Sequence, residues 1–176
     1  MAETSYAIAL GSNRRHGSHG APHAVIAAAL ATLARAGLGI VAVSPVIHTP
    51  ALGPAGRSFA NAAAIIASPL DPPALLRLLK KVERDFGRRT GRRWGPRVLD
   101  LDIALWSGGT WPPFPKTSAP GRLSVPHHAL AARAFVLTPV VAIAPGWRHP
   151  RSRQTVRQLQ AMLIRPTPVD RTRRRQ

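Results

Sequence analysis

A chain of 176 residues is long enough to bury a full hydrophobic core as one domain, and the total absence of cysteine excludes a disulfide framework, a thiolate metal site and a cysteine nucleophile. Twenty-five Lys and Arg against seven Asp and Glu give a formal charge of +18, but only three of the cations are lysine and the aromatic interleaving that stacks bases is missing, so a shaped nucleic-acid face is not indicated. No run reaches the ~18 to 20 apolar residues of a membrane span, and the opening Met-Ala-Glu-Thr-Ser-Tyr has no basic leader, so a cytoplasmic protein without signal peptide is expected.

Tyr6 to Leu10 reads as a buried strand ended by the turn-forming Gly11-Ser12-Asn13. Pro22 suits a first helical position, and the Ala-rich stretch to Ala36 predicts a helix stopped by Gly37. Leu38 to Val43 and Val46 to His48 predict strands divided at Pro45, and Thr49 to Arg57 a loop. Phe59 to Ala67 is strand again. Asp71-Pro72-Pro73 then caps a second helix whose Leu75, Leu76, Leu79 and Val82 recur at helical spacing up to Phe86, before Gly87. A fifth strand, Asp100 to Trp106, precedes a Gly- and Pro-rich loop, Ser107 to Arg122. Val125-Pro126-His127 leads into a helix from His128 to about Ile143, and a last helix from about Thr155 to Ile164 carries Val156, Leu159 and Leu163 on one face. Residues 165–176 form a basic tail, leaving 1–164 as a single domain. The alternation of strands and helices, with adjacent strands in pairs, predicts an α+β fold with a mixed or antiparallel sheet covered by helices on both faces.

The chemistry concentrates in one segment. Side chains alternate along a strand, so Asp100 and Asp102 share a face while Leu99, Leu101 and Ile103 take the other. Two of only seven acids thus stand together, directly after a stretch, Arg84 to Arg97, with six arginines in fourteen residues. Paired carboxylates suit Mg²⁺ carrying phosphates, and arginines suit the phosphates themselves, which points to phosphoryl-transfer chemistry. A two-metal nucleotidyltransferase would use the same pair, and a basic nucleic-acid-binding module would use the cations alone.

The ordered motifs Ile8-Ala9-Leu10-Gly11-Ser12-Asn13, Thr49-Pro50-Ala51-Leu52-Gly53, Phe59-Ala60-Asn61, Glu83, Gly87-Arg88, Arg93-Trp94-Gly95-Pro96-Arg97, Leu99-Asp100-Leu101-Asp102-Ile103, Val125-Pro126-His127 and Arg133-Ala134-Phe135-Val136-Leu137 resemble the 6-hydroxymethyl-7,8-dihydropterin pyrophosphokinase family of folate biosynthesis. The resemblance covers nearly everything before Pro145. It implies a ferredoxin-like core and the transfer of pyrophosphate from ATP to a pterin alcohol, by a monomer needing no nucleic acid or membrane. By the same resemblance Asp100 and Asp102 hold two Mg²⁺ with ATP as co-substrate, and Arg88 and Arg97 join them as catalytic residues. Glu83, Arg88, Trp94, Arg97, His127 and Arg133 would meet ATP, and Thr49, Pro50, Leu52, Phe59, Asn61, Trp94, Asp100 and Phe135 the pterin, with the two phenylalanines as a sandwich. Whether Arg89 or Arg92 supports Arg88 stays open. Against the family pattern, His128 replaces a tyrosine or proline, Ala142 an acid, and the Ser107 to Arg122 loop is long.

Overall fold

The computed structural model describes residues 3–50, 58–87, 98–113 and 123–164. Within them the chain runs β1 (Thr4–Ser12), α1 (Pro22–Arg35), β2 (Gly39–Val43), β3 (Ile47–Thr49), β4 (Phe59–Ser68), α2 (Pro72–Asp85), β5 (Asp100–Trp106), a 3₁₀ turn (Leu130–Ala132), α3 (Ala134–Ile143) and α4 (Val156–Ile164). The strands make one sheet in the order β2-β4-β1-β5, with β3 also paired to β4. Every pairing is antiparallel, so of the two expected sheet types the antiparallel one is present. The first elements, with β2 and β3 as one interrupted strand, trace the βαββαβ path of a ferredoxin-like α+β fold.

Two cores result, one on each face of the sheet. Tyr6, Ile8 and Leu10 of β1, with Leu99, Leu101 and Ile103, pack against Val25, Ile26, Ala29 and Leu33 of α1 and Leu75, Leu79 and Val82 of α2. Ala7, Ala63, Ile65, Ala104 and Leu105 face Val136, Leu137 and Val140 of α3 and Val156 and Leu159 of α4. Each fully buried Leu or Ile contributes about 1.5 to 3 kcal/mol. The alanines of β4 leave little height on either face, which lets helices approach the sheet closely.

Local signals agree with these elements. Asp71 accepts the Ala74 amide at 2.7 Å and starts α2. Thr155 and Gln158 form a reciprocal capping box at the start of α4, the Thr155 amide donating to Gln158 Oε1 at 2.8 Å and the Gln158 amide to Thr155 Oγ1 at 3.2 Å. At the sheet edge the Ser44 hydroxyl accepts the Ala63 amide at 2.9 Å and the Ser44 amide donates to the Ala63 carbonyl at 2.9 Å, so Ser44 keeps β4 satisfied where Pro45 separates β2 from β3.

Three expectations are corrected, and β5 has one further irregularity. Gly11 and Ser12 are not a turn: β1 lies between β4 and β5, and this pairing carries the strand through Ser12. The helix expected from His128 is broken at Arg133, whose extended backbone (φ −119°, ψ 96°) separates the 3₁₀ turn from α3. The alternation of β5 also resets, because Ala7 pairs with Leu105 and Ile8 with Ile103, leaving Ala104 as the extra residue of a bulge. Leu105 thereby turns to the α3–α4 face, while Trp106 returns to the other and stacks on Tyr6 at 6.0 Å. Leu163 is 38 % exposed and is not part of the core face of α4.

Candidate active site

The antiparallel registers line up the expected residues. Ile47 opposes Asn61, Asn61 opposes Gly11 and Gly11 opposes Asp100, forming a row across β3, β4, β1 and β5. In the next row of the same face Ala63, Ala9 and Asp102 stand side by side. Phe59, two residues from Asn61, shares that face and pairs with Thr49. Asn61 is buried and donates its Nδ2 to Thr49 Oγ1 at 2.8 Å. A Cβ added to Gly11 would sit 3.4 Å from Asn61 Oδ1, so the missing side chain keeps the middle of the row open. Pro50, at the end of β3, is exposed.

Asp100 and Asp102 are half-buried on β5, with Leu99, Leu101 and Ile103 buried behind them. β5 is an edge strand, and its outer side at Leu101 is satisfied by α2. Glu83, only 1 % exposed, accepts the Leu101 amide at 2.7 Å, and Lys80 donates to the Leu101 carbonyl at 2.8 Å. Lys80 and Glu83 are themselves joined at 2.6 Å, and the same ammonium lies 3.6 Å from Asp102 Oδ1. The sequence motifs did not single out Lys80. Its sequence signal is a Lys three residues before a Glu on an amphipathic helix, which reads equally well as surface charge.

His127 joins this group from the chain after β5. Its amide donates to the Ala104 carbonyl at 3.1 Å, and its Nδ1 accepts the Ala129 amide at 3.1 Å. In the neutral ring the proton is therefore on Nε2, which makes His127 a donor. Burial pushes its pKa down, opposed by Asp102 and Asp100 and aided by Arg133 and His128, so all four charges or rings surround it. His128 stacks on it at 4.4 Å between centroids. The break before α3 places the Arg133 guanidinium 5.7 Å from the centre of the Phe135 ring, a cation–π contact, and Phe135 is half-buried against the α3–α4 core. Four expected site residues, Leu52, Arg88, Trp94 and Arg97, lie outside the described residues.

Two carboxylates on one face are the hard oxygen ligands that Mg²⁺ takes, so the donor set fits a divalent cation. Among the described residues no group of three His, Asp or Glu is arranged to hold a metal ion, so such an ion would complete its shell with phosphate oxygens and water.

Residues 7–145 match the model of the 7,8-dihydro-6-hydroxymethylpterin-pyrophosphokinase (HPPK) family. The chain belongs to this family. Its members are ATP-dependent pyrophosphokinases, transferases of folate synthesis. The chain is 41 % identical over 148 residues to the 2-amino-4-hydroxy-6-hydroxymethyldihydropteridine pyrophosphokinase of Pseudomonas aeruginosa, covering 83 % of this chain and 84 % of that one. It is 36 % identical over 124 residues to the protein of that name from Synechocystis, covering 70 % of this chain and 60 % of the relative. The fold matches the crystal structure of Plasmodium falciparum HPPK-DHPS with pteroate at a TM-score of 0.67 and 14 % identity, over 93 % of this chain and 43 % of that longer one. Among the described residues no helix is long and apolar enough to cross a membrane.

Proposed function

We propose that this chain transfers pyrophosphate from MgATP to 6-hydroxymethyl-7,8-dihydropterin, as a cytoplasmic monomer with a single pyrophosphokinase domain over 1–164. The observation that carries the reading is the shared face on which Asp100 stands in the row of Asn61, Asp102 in the next row to one side, and Thr49 and Phe59 in the next row to the other. An anionic phosphate-and-metal pole and a small polar-aromatic pole there lie within the span of one nucleotide and one flat heterocycle.

The hydroxymethyl oxygen of the pterin forms a bond to the β-phosphorus, the bond from that phosphorus to the oxygen bridging to the α-phosphate breaks, and AMP leaves. Asp100 and Asp102 would hold two Mg²⁺, which would supply neutralisation of the phosphate charge. His127 offers Nε2–H to a phosphate oxygen; its Nδ1 is taken by the Ala129 amide, so it is no base for the hydroxyl proton. Arg133 faces the nucleotide side, and the family resemblance assigns Arg88, Arg97 and Trp94 to ATP; Glu83, expected to meet ATP, is 1 % exposed and bonded to the Leu101 amide and Lys80, so its role is to hold β5 and not to touch the nucleotide. Phe59 and Phe135 stack on the pterin, and Asn61, Thr49, Pro50, Leu52 and the Asp100 carboxylate line its edge. Positioning and electrostatics carry such a transfer without a dedicated base.

Incubating the protein with MgATP and the hydroxymethyl dihydropterin tests this: AMP and pterin pyrophosphate should appear in equal amounts. Release of inorganic pyrophosphate would mark a nucleotidyltransferase instead, and absence of ATP turnover would remove the enzyme reading.

A further inference from the structure

We propose that Lys80 is a resident counter-ion of the phosphate-and-metal site, which holds Asp102 and keeps the carboxylate pair from gathering a divalent cation before nucleotide arrives. The inference rests on the reading of Asp100 and Asp102 as a cation-holding pair. An ammonium has three donors. Lys80 directs one to Glu83 Oε1 at 2.6 Å and one to the Leu101 carbonyl at 2.8 Å, and Asp102 Oδ1 stands 3.6 Å away. Glu83 is buried and is itself fixed by the Leu101 amide at 2.7 Å.

The two short bonds decide where the charge sits. A long surface lysine normally loses much of its ion-pair energy to the ordering of its side chain. Here the ordering is already imposed by a buried carboxylate and a strand carbonyl, so the attraction to Asp102 carries no further ordering cost. The Lys80–Glu83 pair also supports the sheet, because it satisfies both backbone groups of Leu101 on the open edge of β5, where another strand would otherwise pair. The strand that bears the two aspartates is thus held by the same lysine that partly neutralises one of them.

Residue type supports this placement. Only three of the 25 cations in the chain are lysine, and one of them occupies this position. Lys80 sets one positive charge beside Asp102. A divalent cation arriving without phosphates meets that weakened field, whereas one bound to ATP brings its own anionic ligands.

The test is a Mn²⁺ titration of the nucleotide-free protein, followed by the paramagnetic resonance of free Mn²⁺, with Lys80→Met, Lys80→Arg and Lys81→Met. Lys80→Met should bind Mn²⁺ at least about fivefold more tightly, because a cation close to a ligand oxygen has gone. Lys80→Arg and Lys81→Met, the latter losing the same charge from an exposed position on the same helix, should stay within about twofold of wild type. A purely structural lysine would show the opposite sign, since a loosened β5 binds the ion less well. If Lys80→Met fails to fold, Lys80→Gln gives the same reading with a hydrogen-bonding group retained. Unchanged or weaker Mn²⁺ binding in the Lys80 variant, or equal tightening in Lys81→Met, overturns the proposal. A parallel titration with a non-hydrolysable ATP analogue separates the two readings: if wild type and Asp102→Asn then hold Mn²⁺ equally, the metal assignment itself fails, and otherwise only the role of Lys80 is at stake.

Discussion

The Asn61 amide donates to the Thr49 hydroxyl at 2.8 Å, and this bond fixes which end of the amide faces the open row above Gly11. With Nδ2 committed to Thr49, Oδ1 is the acceptor presented on the site face, suited to an amino or ring N–H of a pterin. Thr49→Val keeps the shape and removes the bond, freeing the amide to rotate. The pterin KM should rise about fivefold, in line with ~1 kcal/mol for one neutral hydrogen bond, while the KM for ATP stays unchanged. Steady-state kinetics with each substrate varied in turn will check it, and an equal rise for both substrates would place Thr49 outside the pterin pole.

Asp100→Asn and Asp102→Asn should each reduce turnover to background with the fold intact. Both side chains are half-buried on the open face of β5, and the core behind them is made by Leu99, Leu101 and Ile103, so the amides replace charge without disturbing packing. Circular dichroism and thermal unfolding should match wild type. Near-normal rates across a Mg²⁺ series in either variant would show that the carboxylates do not hold the ion.

Phe135→Leu and Phe59→Leu should weaken pterin binding selectively. Stacking on one ring is worth about 0.5 to 1.5 kcal/mol, or roughly two- to twelvefold in affinity. Phe135 carries the Arg133 cation on its ring, so Phe135→Leu should also slightly weaken nucleotide binding by releasing Arg133, whereas Phe59→Leu should not. Fluorescence titrations of pterin and of an ATP analogue give both numbers, and an identical nucleotide effect in the two variants would deny the link between Arg133 and Phe135.

Stability should fall as pH is lowered through the ordinary histidine range. Burial depresses the pKa of His127, and burial with Arg151 nearby depresses that of His149. The unfolded chain therefore binds protons near the usual value of about 6.5 while the folded chain does not yet, so the folded state loses ground below that pH and is most stable above it. Urea midpoints measured from pH 7.5 to 5.5 should decline, and His149→Gln should flatten part of the slope. A midpoint that holds steady or climbs toward pH 5.5 would contradict the half-buried neutral imidazoles.

The sequence by itself determined the family and most of the elements. Period-two and period-3.6 patterns, the Asp71 cap, the Gly37 stop and the pairing of Asp100 with Asp102 on one strand face all follow from local geometry, which a chain carries in its own order. The motif order was specific enough to name the family before any coordinates. Tertiary structure decided what depends on neighbours distant in the chain. Gly11 and Ser12 have turn-forming character, yet they are strand because β4 pairs with both of them and β5 reaches Gly11 from the other side. The Ala104 bulge, which turns Leu105 to the opposite face, and the break at Arg133, which sets a cation over Phe135, arise from packing against helices that local propensity does not see. Lys80 shows the difference most directly. On its own helix it is one more charged residue three before a glutamate, and only the edge position of β5 brings it to Leu101 and Asp102.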